Sequence, residues 1–159
     1  MFIRSERLFL RPAWPEDWSD IQTALGDHAH VLAARPQAWR HPQFLITLPD
    51  QHGAHVVGLI CFAPYQGETE LGVWIAQHAR GQGYATEAAR AALTLARMLG
   101  HCRLVASPIA DCPASARVLA GLGFAPTGQR RGLAREVHAL DLCAPADDPV
   151  DPDMLRRAA

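Results

Sequence analysis

Between residues 44 and 99 the spacing of apolar residues changes period once, and that change limits the possible fold more than any other feature of the chain. Phe44 to Leu48, His55 to Phe62 and Thr69 to Ala76 are apolar, β-branched runs of strand length. Pro49-Asp50-Gln51-His52-Gly53 and Gln66-Gly67 lie between them and have turn chemistry, which pairs neighbouring strands antiparallel. From Ala85 the apolar residues recur at intervals of three and four. Ala85, Ala88, Ala89, Ala92, Leu95, Ala96 and Leu99 trace one face of a helix that stops at Gly100. Strands that feed directly into a long helix exclude an all-β sandwich and a helical bundle, and they predict a sharp strand-loop-helix junction at Arg80-Gly81-Gln82-Gly83.

The flanking segments extend this pattern. Arg7 to Arg11 alternates polar and apolar before Pro12 and predicts a first strand. Pro15-Glu16-Asp17 opens a helix on which Trp18, Ile21 and Leu25 share a face before Gly26. His28 to His41, with Pro36 inside it, predicts a short helix and loop. Arg103 to Ser107 predicts a strand, Ala114 to Leu122 a helix closed by Gly123, and Phe124 to Thr127 with Val137 to Leu142 the last strands. The order is β-α-α-β-β-β-α-β-α-β-β, a mixed sheet with helices on its faces in the α+β class. One domain is expected over residues 1–143, and a peripheral tail from 144 to 159, where Pro145, Pro149 and Pro152 interrupt any periodicity.

Charge and cysteine usage narrow the function classes. The formal net charge of −1 argues against nucleic acid as a main partner. All 15 basic residues are Arg, so an anion site must use Arg, His or backbone N–H groups. Cys61, Cys102, Cys112 and Cys143 form no C-x-x-C pair, and free thiols in a cytoplasmic protein are the expectation. Neither an apolar leader nor a membrane-spanning stretch is visible, so no membrane partner is expected.

Arg80-Gly81-Gln82-Gly83-Tyr84-Ala85 suits an anion, because first-turn N–H groups lack intrahelical partners and carry roughly +0.5 charge from the helix dipole. A Walker loop is excluded by the absence of Lys, and a dinucleotide fingerprint would need a small residue where Thr86 stands. Loop chemistry alone leaves two readings open, a glycine turn that starts a helix and a phosphate site.

Arg80-x-x-Gly83-x-Ala85 resembles the acyl-CoA pyrophosphate motif of the GCN5-related N-acetyltransferases. Ser5-Glu6-Arg7-Leu8-Phe9-Leu10-Arg11-Pro12, Glu70-Leu71-Gly72-Val73-Trp74-Ile75 and Gly83-Tyr84-Ala85-Thr86-Glu87-Ala88 resemble segments of the branch that acetylates ribosomal-protein N-termini. Ser115-Ala116-Arg117-Val118-Leu119 followed by Leu122-Gly123-Phe124 resembles its late helix and strand. These segments occur in the family's order from Ser5 to about Asp141.

The resemblance implies a mostly antiparallel central sheet of six to seven strands with helices on both faces. It further implies that acetyl-CoA is the co-substrate, that no metal takes part, and that the central strands splay at a bulge in the strand carrying Trp74, Ile75 and Ala76. Arg80, Gly81, Gln82, Gly83, Tyr84, Ala85 and Thr86 would then form the pyrophosphate loop, with Cys112 and Ser115 on the cofactor arm. The acceptor would be a primary amine, either a protein N-terminus or a small molecule, and a homodimer is compatible with the family.

N-acetylation needs a neutral amine and protonation of the departing thiolate. Glu70 is the expected base, Glu68 on the same strand face is the reserve at the acceptor, and Ser115 is the candidate acid, because Leu119 stands where many members carry Tyr. Cys112 replaces the family Asn, which removes an amide from the arm site and raises a less favoured covalent route. Trp14, Arg35 and Trp39 lie in the part that lines the acceptor pocket in the family; core or half-buried packing is the plainer reading of the tryptophans, whereas an exposed Trp14 or Trp39 together with Arg35 would fit contact with a peptide or polar acceptor. His52-x-x-His55 beside Asp50 has no second ligand pair and reads as surface histidines. A non-catalytic acyl-CoA sensor and a nucleotide-binding protein remain as alternatives.

Overall fold

The computed structural model describes residues 1–29, 39–51, 53–110, 112–132 and 135–143. The expected helix and loop over His28 to His41, and the expected tail, therefore fall largely outside the described residues. Eight strands form one sheet: β1 (Ile3–Arg4), β2 (Phe9–Arg11), β3 (Gln43–Asp50), β4 (Gly53–Tyr65), β5 (Glu68–Ile75), β6 (Arg103–Ala106), β7 (Ala125–Arg131) and β8 (Arg135–Asp141). Among the described residues three α-helices accompany them: α1 (Trp18–Leu25), α2 (Tyr84–Met98) and α3 (Pro113–Gly121). The spatial order is β1-β2-β3-β4-β5-β6-β8-β7. All neighbours pair antiparallel except β5 and β6.

The α+β class and the mixed, mostly antiparallel sheet agree with the sequence, and the strand count exceeds six to seven by one. The addition is β1, whose two residues are too few to show a period. It exists because the chain reverses at Ser5, whose backbone N–H donates to Leu8 O at 3.0 Å and whose Oγ accepts from Leu8 N at 3.2 Å.

Strand alternation divides the core in two. Phe44, Ile46, Ile60, Phe62, Leu71 and Ile75 pack against Ala88, Ala89, Ala92, Leu95 and Ala96 of α2. Leu45, Val56 and Leu59 pack against Ile21 and Leu25 of α1, with Trp74 beside them. Small residues along α2 let the helix lie close to the sheet. Trp18 departs from the expected α1 stripe and is 43% exposed. The polar anchor of that helix is Asp17, which Arg11 bonds through Nη1 and Nη2 at 2.6 and 2.7 Å while Trp14 N donates to it at 2.7 Å. Arg11 holds the Asp17 carboxyl below its ordinary range, with burial opposing.

Free thiols throughout were expected, yet Cys102 and Cys143 form a disulfide with Cα atoms 4.8 Å apart, while Cys61 and Cys112 stand outside any disulfide. Arg103 pairs with Asp141, so the two cysteines flank the same end of the β6–β8 ladder. A separation of 41 residues conceals this pairing from any spacing rule.

The sheet's important irregularity lies between β5 and β6, which pair only at Thr69↔Leu104 and Glu70↔Val105. Beyond Glu70, β5 continues to Ile75 with β4 alone as its partner, and a cleft opens. The expected bulge in the strand carrying Trp74 is not found, since the β4–β5 register runs unbroken from Gly58↔Ile75 to Tyr65↔Glu68. The register shift instead falls in the β3–β4 pair, between Ile46↔Gly58 and Thr47↔Val56.

Candidate active site

The junction after β5 has the geometry that the sequence predicts. Gly81 and Gly83 adopt φ of 77° and 80°, left-handed values that side chains rarely tolerate. Gly83 is the N-cap of α2 and no side chain caps the helix, so the first-turn N–H groups of Tyr84, Ala85 and Thr86 face the loop region without a capping partner. Arg80 is exposed, with its Nε donating to Ile75 O at 3.1 Å and its guanidinium 4.7 Å from the Trp74 ring. Trp74 and Ile75 end β5, Ala76 follows with its N–H donating to Val57 O at 2.9 Å, and one 3-10 turn, Gln77–Ala79, leads on to the loop.

Sequence reasoning missed Arg7. Its Nη1 donates to Gln82 O at 3.1 Å, its guanidinium lies 4.8 Å from the Tyr84 ring, and its Nε donates to Glu87 at 2.8 Å. Glu87 also accepts from Ser5 Oγ and Arg7 N, each at 2.7 Å. Burial alone would raise the Glu87 carboxyl, but the bonds from Ser5 and Arg7 outweigh it and hold the group below its usual range. A groove of about 670 Å³ beside the loop is lined by Arg4, Arg7, Gly83, Thr86 and Arg90 among others. The alternation of Arg7 to Arg11 marks Arg7 only as a surface position, so nothing local announces its place at the loop.

At the vertex of the cleft stands Glu70, the last β5 residue paired with β6. Its carboxylate is already held, for Arg131 Nη1 donates to both oxygens at 2.6 Å. Glu70 in turn raises the Arg131 guanidinium above its ordinary value. Glu68 pairs with Arg103 Nε at 2.6 Å, and the same guanidinium reaches Asp141 at 2.9 Å. Arg131 is the second residue that the sequence hid, because β7 runs to Arg131 instead of ending near Thr127.

Ser115 is the third residue of α3, where its Oγ accepts from Ile109 N at 2.9 Å and donates to Cys112 O at 2.7 Å. Its hydroxyl thus ties the β6–α3 loop to the helix. Cys112 is the half-buried N-cap residue, and Leu119 packs against the larger core. Among the described residues, no hydrogen bond, ion pair or ring contact joins the expected acceptor residues Trp14, Trp39 and Glu68 to one another. Trp14 sits at the β1–β2 side, its ring 4.1 Å from the Arg11 guanidinium and 6.4 Å from Phe2. Trp39 is 72% exposed, and Arg35 lies outside the described residues. His55 pairs with Asp50, while His52 lies outside the described residues. Among the described residues no group of three or more His, Cys, Asp or Glu could hold a metal, and no helix is long and apolar enough to cross a membrane.

Residues 7–125 match the model of a family described as an acetyltransferase (GNAT) domain. None of the curated proteins matches. Among solved structures, a GNAT-family acetyltransferase from Bacillus anthracis is 23% identical, with a TM-score of 0.71 over 89% of this chain and 99% of that one. A Vibrio cholerae protein assigned as a ribosomal-protein-serine acetyltransferase is 18% identical, with a TM-score of 0.74 over 89% of this chain and 97% of its own. An acetyltransferase from Agrobacterium tumefaciens is 25% identical, with a TM-score of 0.70 over 88% and 94% of the two chains.

Proposed function

The chain belongs to the GNAT acetyltransferase domain family, and from that premise we propose that it transfers an acetyl group from acetyl-CoA to a primary amine, directly and within a ternary complex. The observation that carries the reading is the uncapped start of α2 on two left-handed glycines at the end of β5, beside the cleft between β5 and β6. Arg80 at the loop and Arg4, Arg7 and Arg90 along the groove, which Glu6 and Glu87 also line, supply the guanidinium groups that a phosphate-rich cofactor needs. The β5 edge from Leu71 to Ile75 offers backbone groups on the side that β6 leaves open, which suits a pantetheine arm.

In this reading the amine approaches Glu70. The carboxylate accepts the ammonium proton, the lone pair attacks the thioester carbonyl, the carbon–sulfur bond breaks, and the thiolate takes up a proton. Ser115 is our candidate donor to the sulfur, and serving so requires its O–H to leave Cys112 O. Cys112→Ala is expected to stay active, as direct transfer requires. The acceptor classes carried forward are protein N-termini, following the ribosomal-protein branch, and small amines. A cytoplasmic location and homodimerisation belong to the proposal.

A sensor that binds acyl-CoA without turnover is favoured by one observation, the occupation of Glu70 by Arg131. Calorimetric titration with acetyl-CoA, and with CoA, ATP and NAD as controls, comes first. Selective micromolar binding, worth about 8 kcal/mol, supports the cofactor. CoA release with an amine panel then separates enzyme from sensor. A folded, ligand-free protein that binds neither acetyl-CoA nor CoA would end both readings.

A further inference from the structure

The way Glu70 is held leaves part of its partner unused. One nitrogen, Arg131 Nη1, reaches both carboxylate oxygens, while Nε and Nη2 of the same guanidinium have no hydrogen-bond partner among the described residues. The Arg131 side chain is 46% exposed, whereas that of Glu70 is 19% exposed. The guanidinium carbon lies 4.9 Å from the Tyr65 ring centre, so stacking helps to fix the group over the vertex of the cleft.

Charge on this sheet face is uneven as well. Arg135 lies directly opposite Arg131 in the β7–β8 ladder, a like-charged cross-strand pair that is unfavourable without an anion nearby. Among the described residues Arg135 has no acidic partner, so its strand position adds a positive charge beside the guanidinium that holds Glu70. A polyamine or an aminoglycoside would bring further positive charge against this pair. A zwitterion would not, since its carboxylate can take the open donors of Arg131 while its ammonium lies against Glu70.

We infer that Arg131, assisted by Arg135, is the specificity-determining residue for an acceptor that carries a carboxylate beside its amine, the class of free α-amino acids. The inference rests on the N-acetyltransferase reading and on Glu70 as the place where the amine binds. In the ternary complex Arg131 bridges two carboxylates, one from the acceptor and one from Glu70. The ammonium passes one proton to Glu70, the nitrogen lone pair forms the amide bond as the carbon–sulfur bond breaks with its electron pair leaving on sulfur, and the second proton that the acylated nitrogen gives up is the one the thiolate takes. No further reactant is needed.

The test uses the full chain with acetyl-CoA and matched acceptors, namely the free amino acids, their α-amides, spermidine, kanamycin and a short peptide. Product is read by mass spectrometry. The expected result is that at least one free amino acid has kcat/KM tenfold or more above its own amide, and that spermidine and kanamycin react no faster than the amide. Arg131→Gln should bring that ratio near one, chiefly by raising KM for the carboxylate form. Arg131→Lys should restore only part of it, because the fork is lost while the charge remains, and Arg135→Gln should cost about threefold.

Equal use of an amide, a polyamine or the peptide by the native chain would overturn the inference and leave the acetyltransferase reading intact. If acetyl-CoA binds but no amine reacts, thermal shifts of CoA-saturated protein decide the matter. A shift from free amino acids that the amides do not give, and that Arg131→Gln abolishes, supports the inference, and its absence overturns it. Failure to bind acetyl-CoA would instead refute the functional reading beneath it.

Discussion

Replacing Glu87 by glutamine removes the one negative charge that joins the N-terminal hairpin to the first turn of α2. The carboxylate accepts from Ser5 Oγ, Arg7 N and Arg7 Nε at 2.7 to 2.8 Å, and its side chain is 15% exposed. A glutamine keeps one carbonyl oxygen and presents an NH2 where a second acceptor stood, so at least one bond must go. A hydrogen bond to a charged group contributes about 1.5 to 3 kcal/mol, whereas the ion pair with half-exposed Arg7 adds less than about 1 kcal/mol because solvent screens it. We expect Glu87→Gln to lose about 2 kcal/mol. In a chain of this size that lowers Tm by about 4 to 8 °C. Urea unfolding followed by circular dichroism should show a lower midpoint at unchanged slope. Arg7 would keep Gln82 O but lose the Glu87 carboxylate that fixes its guanidinium there, so acetyl-CoA affinity should fall about threefold to tenfold. A variant within about 0.5 kcal/mol of the native chain, with unaltered affinity, would refute the claim that Glu87 organises the loop through Arg7.

Asp17→Asn leaves buried Arg11 without its charge partner and should cost about 3 to 5 kcal/mol by chemical denaturation, more than any exposed pair. Asp17 and Glu87 both titrate below their unfolded values, so their contribution is complete above about pH 5 and is lost as pH falls through the folded pKa values; an acid titration of Tm should decline there, and less steeply in Glu87→Gln. Gly83→Ala places a Cβ at φ 80° with Arg7 Nη2 3.5 Å away; the space suffices but the backbone does not, and a loss of about 1 to 2 kcal/mol with weaker acetyl-CoA binding is expected by calorimetry. Cys102→Ser with Cys143→Ser opens a loop of 41 residues and should cost about 4 kcal/mol in oxidising buffer but nothing against the reduced native chain.

What the sequence made legible was local. The helix α2 and its glycine loop were readable because a three-and-four spacing and two glycines act within a few residues of one another. The strands β3, β4 and β5 were readable for the same reason, with only their ends displaced. What escaped depends on contacts between distant residues. Arg7 meets Gln82 across 75 positions and Arg131 meets Glu70 across 61, and neither partner carries a local mark of the other. The disulfide escaped likewise, since β6–β8 register alone brings its halves together. Glu70 was placed at the cleft from the resemblance, but its engagement by Arg131 is a tertiary fact. Ser115 shows a similar limit, because its neighbours in sequence suggest a helix cap whereas its hydroxyl bonds the loop before the helix.

The short parallel seam between β5 and β6 divides the sheet into unequal parts. On one side, β1 to β5 with α1 and α2 hold most of the buried apolar residues. On the other, α3 and β7 contribute no fully buried residue, and the disulfide closes the base of β6 and β8. Beyond those two residue pairs, Leu104, Ala106, Phe124 and Leu142 join the parts in the larger core, and the Arg131–Glu70 and Arg103–Glu68 ion pairs cross the seam. A ligand lying in the cleft would touch both and bind only where they are correctly apposed. Its binding energy would therefore act as a further clasp across the seam, added to the core and ion-pair contacts already there.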